Sequence, residues 1–317
     1  MLRKIIEKHW YKKIALWLVI FLLPMGSVYL IIIFIRHLCY KYNIFKTHQL
    51  SVPVVIVGNI SVGGVGKTPL TLHLIETLAE QGIKAGVILR GYKGKYKKPM
   101  VVNNNHNATL VGDEAMIYAR HNIPVAIAKN RFKAGLKLLD TYPEIKIIFS
   151  DDGLQHYKLE RNFEIAVIDS SRLLGNKFVL PMGPLREPAV RLAKVSAVVF
   201  NGNVDVTKLK IPLPKSVTIL YFELAKIYNP ISGHVYSAND LVNKNVVAMA
   251  GIGNPERFFN FLEQQKIYPK QTISFPDHHH FTQKDIPKDF DIILVTEKDY
   301  TKLKELNNDK IWVVALK

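Results

Sequence analysis

The sequence predicts an α/β fold, with a parallel sheet sandwiched between helices (α/β/α), a second and smaller α/β domain, and an N-terminal membrane-associated helical segment. Three observations carry this. From Val52 to about Asn201, short apolar runs alternate with helical patterns, as in a parallel sheet covered on both faces. A glycine-rich stretch separates the first apolar run from the first helical pattern. Ile14 to Ile35 contains no charged residue over 22 positions.

At 317 residues the chain is long enough for two domains. The expected boundaries are 1–45 for the anchoring segment, 46–210 for the larger domain, 211–240 for a two-stranded connector and 241–317 for the smaller domain. The single cysteine, Cys39, excludes an internal disulfide and a cysteine metal cluster. The net charge of +17 demands an anionic partner. Basic residues are spread along the chain and concentrated beside the apolar run, and no nucleic-acid-binding module is present, so nucleic acid is not the expected partner.

Met1 to Lys13 is basic and carries Trp10 and Tyr11. The apolar run that follows would reach about 33 Å as a helix, enough to span a bilayer. It is not read as a signal peptide, because Arg36-His37-Leu38-Cys39-Tyr40 follows instead of a small-residue cleavage site. Both flanks are positive: Arg3, Lys4, Lys8, Lys12 and Lys13 before, Arg36, Lys41 and Lys46 after. A spanning helix normally has its positive bias on one side. Pro24-Met25-Gly26-Ser27 interrupts the run, which predicts two short helices dipping into one leaflet, with their basic flanks on an anionic membrane surface.

Val52 to Val57 reads as a buried parallel strand and Pro69 to Glu80 as a helix with Leu70, Leu74, Ile75 and Leu78 on one face. Between them lies Ser61-Val62-Gly63-Gly64-Val65-Gly66-Lys67-Thr68. Strand, glycine-rich loop and helix make a P-loop NTPase-like element. Glycines let backbone N–H groups turn toward a polyphosphate, and the helix N-terminus adds partial positive charge. Lys67 can reach terminal phosphates and Thr68 can place a hydroxyl on Mg²⁺. The strict pattern has glycine where this chain has Ser61.

Further along, Ile83 to Leu89 reads as a strand, Gly94 to Asn107 as an exposed loop and Asp113 to Arg120 as a helix. Pro124 to Ala128 is a strand, Arg131 to Leu139 a helix, and Ile145 to Phe149, Ile165 to Ile168 and Ala197 to Phe200 are strands. Val217 to Leu224 and His234 to Ser237 suggest the connector. Val246 to Ala250, Ile292 to Thr296 and Ile311 to Ala315 are the strands of the smaller domain, and Pro255 to Gln264 its helix.

The acids Asp151 and Asp152 end a strand, where a phosphate-loop enzyme carries the acid that holds Mg²⁺; they can equally cap the next turn. Gly112-Asp113-Glu114 opens a helix. Sequence alone favours Asp113 as an N-cap, over a carboxylate that takes a proton from a substrate hydroxyl or holds Mg²⁺ with Glu114. In Asp277-His278-His279-His280 successive side chains of an extended chain diverge, so one histidine facing a cleft fits better than a metal site. Leu180 to Pro188 is a rigid loop presenting Arg186, able to neutralise charge on a transferred phosphoryl group or to pair with Glu187. Thr296-Glu297-Lys298-Asp299 superficially resembles a guanine-reading element, but its order is wrong.

These stretches together resemble the tetraacyldisaccharide 4′-kinase family, the lipid A kinases of Gram-negative bacteria. The resemblance covers the apolar N-terminus, Val57-Gly58-Asn59-Ile60 leading into the loop, Arg90-Gly91-Tyr92, Gly112-Asp113-Glu114 and Asp151-Asp152-Gly153-Leu154-Gln155-His156. It continues through Gly183-Pro184-Leu185-Arg186-Glu187-Pro188, Gly251-Ile252-Gly253-Asn254-Pro255-Glu256-Arg257-Phe258 and Asp277-His278. The family's own loop has serine at the position of Ser61. The resemblance implies transfer of the ATP γ-phosphate to the 4′-hydroxyl of an acylated glucosamine disaccharide 1-phosphate, by a monomer on the cytoplasmic face of the inner membrane.

It also implies residue roles. Ser61 to Thr68 bind ATP. Thr68 holds Mg²⁺, assisted by Asp151 and Asp152, with Glu114 the further candidate ligand noted above. Asp113 acts on the attacking hydroxyl beside His278, with His280 the alternative, and Lys67 and Arg186 assist. Arg90, Arg131, Gln155, His156 and Glu187 line the lipid site. Hinge closure between the two domains is expected to bring His278 toward Asp113. Gly175-Asn176-Lys177-Phe178 and Pro181-Met182-Gly183 depart from the family's usual Gly-Asn-Gly and Pro-Ala-Gly. The competing reading is a membrane-bound P-loop ATPase switch that positions a partner protein.

Overall fold

The structure, a computed structural model, describes residues 2–12 and 15–317, with residues 2–5 as backbone alone. Lys13 and Ile14 lie outside the described residues, as do the side chains of Arg3 and Lys4. In chain order the elements begin with α1 (Leu2–Tyr11), α2 (Leu16–Lys41), β1 (Val54–Gly58), α3 (Lys67–Glu80) and β2 (Ala85–Leu89). Next come β3 (Met100–Val102), α4 (Ala108–Val111), α5 (Asp113–Arg120), β4 (Val125–Ile127), α6 (Arg131–Thr141) and β5 (Ile147–Asp151). Then follow β6 (Phe163–Asp169), β7 (Ala197–Asn201), β8 (Ser216–Leu220), β9 (Leu224–Tyr228), β10 (Val235–Tyr236) and β11 (Val246–Ala250). The chain ends with α7 (Pro255–Gln264), β12 (Gln271–Ser274), β13 (Ile292–Thr296), α8 (Glu297–Leu303) and β14 (Ile311–Leu316).

Packing divides the chain into two units, Met1–Ile88 with Asn130–Tyr221, and Leu89–Lys129 with Phe222–Lys317. This division is discontinuous, whereas the sequence suggested continuous segments: Leu89–Lys129 groups with the C-terminal part because α5 packs on α8.

In the first unit six strands hydrogen-bond in the order β2-β5-β1-β6-β7-β8. All neighbouring pairs run parallel. Ile56, Val57, Ile148, Ala166, Val198 and Phe200 are buried in it, as continuous apolar runs of a two-sided parallel sheet should be. β1 is central, so the loop leaving its C-terminal end sits at the crevice where such sheets bind ligands.

The expected break at Pro24 is corrected: α2 is one helix of 26 residues with Pro24 inside it. A proline removes one intrahelical hydrogen bond, and packing along a face can hold the axis across it. That face is the stripe Leu22, Gly26, Tyr29, Ile33, His37 and Tyr40, which is turned from solvent while most of its neighbours are exposed. Gly26 is buried against Met182, where a Cβ would come within 2.4 Å of Met182 Cε. The Tyr29 hydroxyl donates to the Arg186 carbonyl at 3.0 Å. His37 and Tyr40 meet Tyr157 at ring distances of 6.0 and 5.8 Å. Outward from this stripe stand Leu16, Trp17, Ile20, Phe21, Met25, Val28, Ile31, Ile32, Phe34 and Ile35, all exposed. Among the described residues α2 alone is long and apolar enough to cross a membrane by length and composition.

The second unit carries a six-stranded sheet in the order β10-β9-β14-β13-β11-β12. β11 to β14 pair in parallel; β9 runs antiparallel to β14, and β10 antiparallel to β9. Alternate residues feed two cores. Ala248, Leu294, Trp312 and Val314 pack with Phe258, Phe259 and Leu262 of α7. Val247, Met249, Val295 and Val313 pack with Phe281 and with Leu303 of α8. The expected two-stranded connector over 211–240 is not a separate piece: β8 extends the first sheet beside β7, whereas β9 and β10 complete the second. Also in this unit, β3 lies within the stretch read as an exposed loop and pairs antiparallel with β4.

Candidate active site

In the first unit the loop Ser61–Gly66 joins β1 to α3. Gly63 and Gly66 have φ of 108° and 96°, a conformation open to glycine without strain. Gly66 precedes α3 with no side-chain cap, leaving the first N–H groups of the helix for an anion. Neighbouring segments hold the loop in shape. Val62 N–H donates to the Pro184 carbonyl at 2.8 Å, and Asn201 Nδ2, at the end of β7, donates to the Val65 carbonyl at 2.8 Å. Asn59 Nδ2 donates to the Ser61 carbonyl at 2.6 Å, and the Tyr11 hydroxyl donates to the Val62 carbonyl at 3.3 Å.

The acids of β5 meet the loop side chains directly. Thr68 Oγ1 donates to Asp151 Oδ2 at 3.0 Å. Asp152 turns back with φ of 50°, its N–H donating to Asp151 Oδ1 at 2.8 Å. Its carboxylate lies 3.3 Å from Lys67 Nζ and accepts from Arg186 Nη1 at 3.0 and 3.1 Å. Burial alone would raise the Asp152 carboxyl; the charges of Lys67, Arg186 and Arg131 together outweigh it and hold the group well below the ordinary carboxylate range. Arg186 therefore pairs with Asp152, not with Glu187 as one sequence reading allowed.

Of the residues expected around the lipid, Arg131 and Glu187 are buried. Arg131 Nη2 donates to the carbonyls of Asp151 and Asp152, both at 2.8 Å, fixing the turn of the acids. Glu187 accepts from Gln155 Nε2 at 3.1 Å and from the Tyr157 hydroxyl. Burial, followed by the nearby charges of Arg131, Arg161 and Arg36, lowers His156 to about 3, so its ring is neutral at physiological pH. Arg90 belongs to the second unit and is exposed.

The second unit carries Asp113, Glu114 and His278 together. The N-cap role favoured for Asp113 falls to Gly112, and Asp113 is the first residue of α5 itself. Its Oδ2 is 2.9 Å from His278 Nδ1. Burial would raise the Asp113 carboxyl, but the His278 hydrogen bond and the charge of Lys302 lead the effects that bring it below its usual value. The carboxylate can then only accept, so Nδ1 carries the hydrogen. His278 has φ of 59°, a strained conformation of the kind found where a side chain is aimed for a task. Since both residues lie in one unit, no domain closure is needed to join them. His279 packs between Phe275 and Phe281, with ring distances of 4.7 and 5.0 Å, and His280 is exposed. Glu114 feels the charge of Lys298.

Sequence reasoning gave no role to Asn59, Asn201, Tyr157, Lys298 and Lys302. Lys298 and Lys302 had a signal, two lysines four apart on one face of a helix that follows a strand end.

The sequence model of the tetraacyldisaccharide-1-P 4′-kinase family matches residues 18–317. The chain belongs to that family. It is 42% identical to the tetraacyldisaccharide 4′-kinase of Chromobacterium violaceum, over 99% of this chain and 93% of that protein. It is 41% identical to the enzyme of Methylobacillus flagellatus, over 98% of this chain and 90% of that one. The crystal structure of LpxK from Aquifex aeolicus, described as an "apo" form in complex with ATP, superposes with a TM-score of 0.77 at 28% identity, covering 93% of this chain and 92% of that one. The activity is accordingly that of an ATP-dependent tetraacyldisaccharide 4′-kinase in lipid A biosynthesis.

Proposed function

We propose that the first unit of this kinase binds ATP through Ser61–Thr68 with Mg²⁺, and that Asp113 and His278 act on the 4′-hydroxyl of the tetraacyldisaccharide 1-phosphate. The observation that carries the reading is the 2.9 Å contact between His278 and a depressed Asp113 carboxylate. Thr68 and Asp151 offer a hydroxyl and a carboxylate oxygen 3.0 Å apart, hard donors that suit Mg²⁺. Bound there, Mg²⁺ would neutralise charge on the phosphates of the nucleotide. Lys67 and Arg186, now sharing Asp152, transfer to the γ-phosphate and stabilise its charge as the bond to the leaving oxygen lengthens. The free oxygen of Asp113 accepts the hydroxyl proton, while His278 fixes the other oxygen. A loose phosphoryl-transfer transition state asks little basicity of that carboxylate, so its lowered pKa is compatible with the role.

The test is transfer of label from γ-labelled ATP to the tetraacyl lipid in detergent micelles. Label in lipid is expected, abolished by a chelator and restored by Mg²⁺. Thr68→Val should raise the Mg²⁺ concentration for half-maximal rate about tenfold, in line with loss of a ligand-side contact. Free labelled phosphate without labelled lipid would favour the ATPase switch.

The exposed apolar stripe of α2 lies in the membrane interface in this reading, with the helix not crossing the bilayer. From Gly26 onward the opposite face is docked on the folded unit. Only Leu16 to Met25 precedes that contact, a rise of about 15 Å against a hydrocarbon core of about 30 Å. A tag at the N-terminus should therefore be digested only after the cytoplasmic face of the membrane is opened to protease; digestion in intact spheroplasts would mean the helix spans.

A further inference from the structure

The Thr296–Asp299 stretch, which reads no guanine, has a different use. We propose that Lys302, fixed from behind by Asp299, is a positioning residue that holds Asp113 against His278 for catalysis. The proposal rests on the reading that this pair acts on the acceptor hydroxyl.

Asp299 is wholly buried and its oxygens are all spoken for. Oδ2 accepts from the Gly251 N–H at 3.1 Å and from the Thr296 hydroxyl at 2.8 Å, and Oδ1 accepts from Lys302 Nζ at 3.0 Å. Thr296 Oγ1 in turn accepts from the Asp299 N–H at 3.1 Å, capping α8. The carboxylate thus ties the end of β11 to the start of α8. The Gly251 carbonyl on that same strand end accepts from the His278 N–H at 3.2 Å, which helps hold the strained histidine backbone.

Lys302 extends this frame to the reacting group. Its ammonium, in a side chain only 9% exposed, stands 3.9 Å from Asp113 Oδ2 and 5.2 Å from the centre of the Phe281 ring. The approached oxygen is the one His278 binds, which leaves the other oxygen of Asp113 for substrate. One turn earlier, Lys298 Nζ donates to Asp277 Oδ1 at 3.0 Å, and that oxygen lies 3.8 Å from His278 Nε2. Two lysines four apart on α8 therefore back the two carboxylates that flank one imidazole. The Lys302 ammonium has three N–H donors; one goes to Asp299, and its next carboxylate approach is to Asp113. Misplacing a catalytic group by about 1 Å can cost about a hundredfold in rate.

The experiment compares Lys302→Met, Lys302→Arg and the charge-balanced Asp299→Asn/Lys302→Met, with Asp113→Asn alone and combined with Lys302→Met. Each is measured by thermal unfolding and by kcat and KM for ATP and for the tetraacyl lipid. The expected result is a kcat loss of about ten- to a hundredfold in Lys302→Met, with both KM values within about twofold and most of the rate returned in Lys302→Arg. The charge-balanced variant, which spares the protein an unpaired buried carboxylate, should fold and show the same loss. Added to Asp113→Asn, Lys302→Met should cost less than about twofold more, because residues acting as one unit are not additive. A folded Lys302→Met, or a folded charge-balanced variant, with wild-type kcat overturns the proposal. If Asp113→Asn itself keeps full turnover, the reading of the pair fails instead.

Discussion

Lys67→Ala is expected to lower kcat/KM for ATP by about a thousandfold or more, the scale of losing a fixed cation from a phosphoryl-transfer site. Lys67 is the first residue of α3, and its ammonium is held by Asn59 Oδ1 and Asp152 Oδ1, both at 3.3 Å. Two nearby cations do not replace it: Arg186 is carried by a different loop and held on Asp152, and Arg131 donates to the carbonyls of the two acids. The fold should survive, because the loop is held by Asn59, Asn201 and the Pro184 carbonyl. Circular dichroism and the thermal midpoint check that.

Acid sensitivity gives a second readout of the same substitution. The Asp152 carboxyl is depressed in the folded protein, so its contribution to stability is present above the ordinary value of about 4 and is lost as pH falls through the folded value. Removing Lys67 takes away its largest favourable charge. The loss of stability below about pH 4 should therefore be smaller in Lys67→Ala than in the parent. Equal acid profiles would show that Lys67 and Asp152 are not coupled.

Asp113→Asn should lower kcat by about a hundred- to ten-thousandfold, the range for removing a positioned general base. KM for ATP should stay within about twofold, since the proposed nucleotide site lies in the other unit. The amide can still accept the His278 Nδ1–H, so the ring keeps its place and the charge is what is lost. His278→Ala should cost less, because on the proposed roles it removes the group that orients the base and not the base. The double variant should be no slower than Asp113→Asn by more than a few-fold. Asp113→Asn with turnover within about fivefold of the parent would remove Asp113 from the chemistry.

Most of the strand and helix positions were legible because they are local. The run before Ser61 and the pattern after Thr68 declare a strand and a helix, and the glycines between them declare the turn. The core strands β11, β13 and β14 read equally well from their unbroken apolar runs. What the sequence concealed depends on contacts between distant segments. Pro24 and Gly26 look like a break until Gly26 is seen to admit Met182 and Tyr29 to reach the Arg186 carbonyl. Leu89–Lys129 looks continuous with what precedes it, yet α5 packs against α8, nearly two hundred residues on. Arg131 and Glu187 have the charges of ligand-binding residues, and only packing shows that both are interior. Asp113 has the position of a helix cap, and only the fold brings it a histidine.

The seam between the N-terminal helices and the nucleotide loop has a kinetic consequence. The Tyr11 hydroxyl reaches the loop at Val62 and the Tyr29 hydroxyl reaches the carbonyl of Arg186, so the element that would rest on lipid is fastened to the residues that would hold ATP. An enzyme seated this way does not tumble relative to the sheet of lipid it works on. Its search for acceptor becomes lateral diffusion in two dimensions, and the quantity that saturates it is the mole fraction of substrate in the surface. Diluting the tetraacyl lipid with inert detergent at constant bulk concentration should therefore slow the reaction, as surface dilution does for an interfacial enzyme.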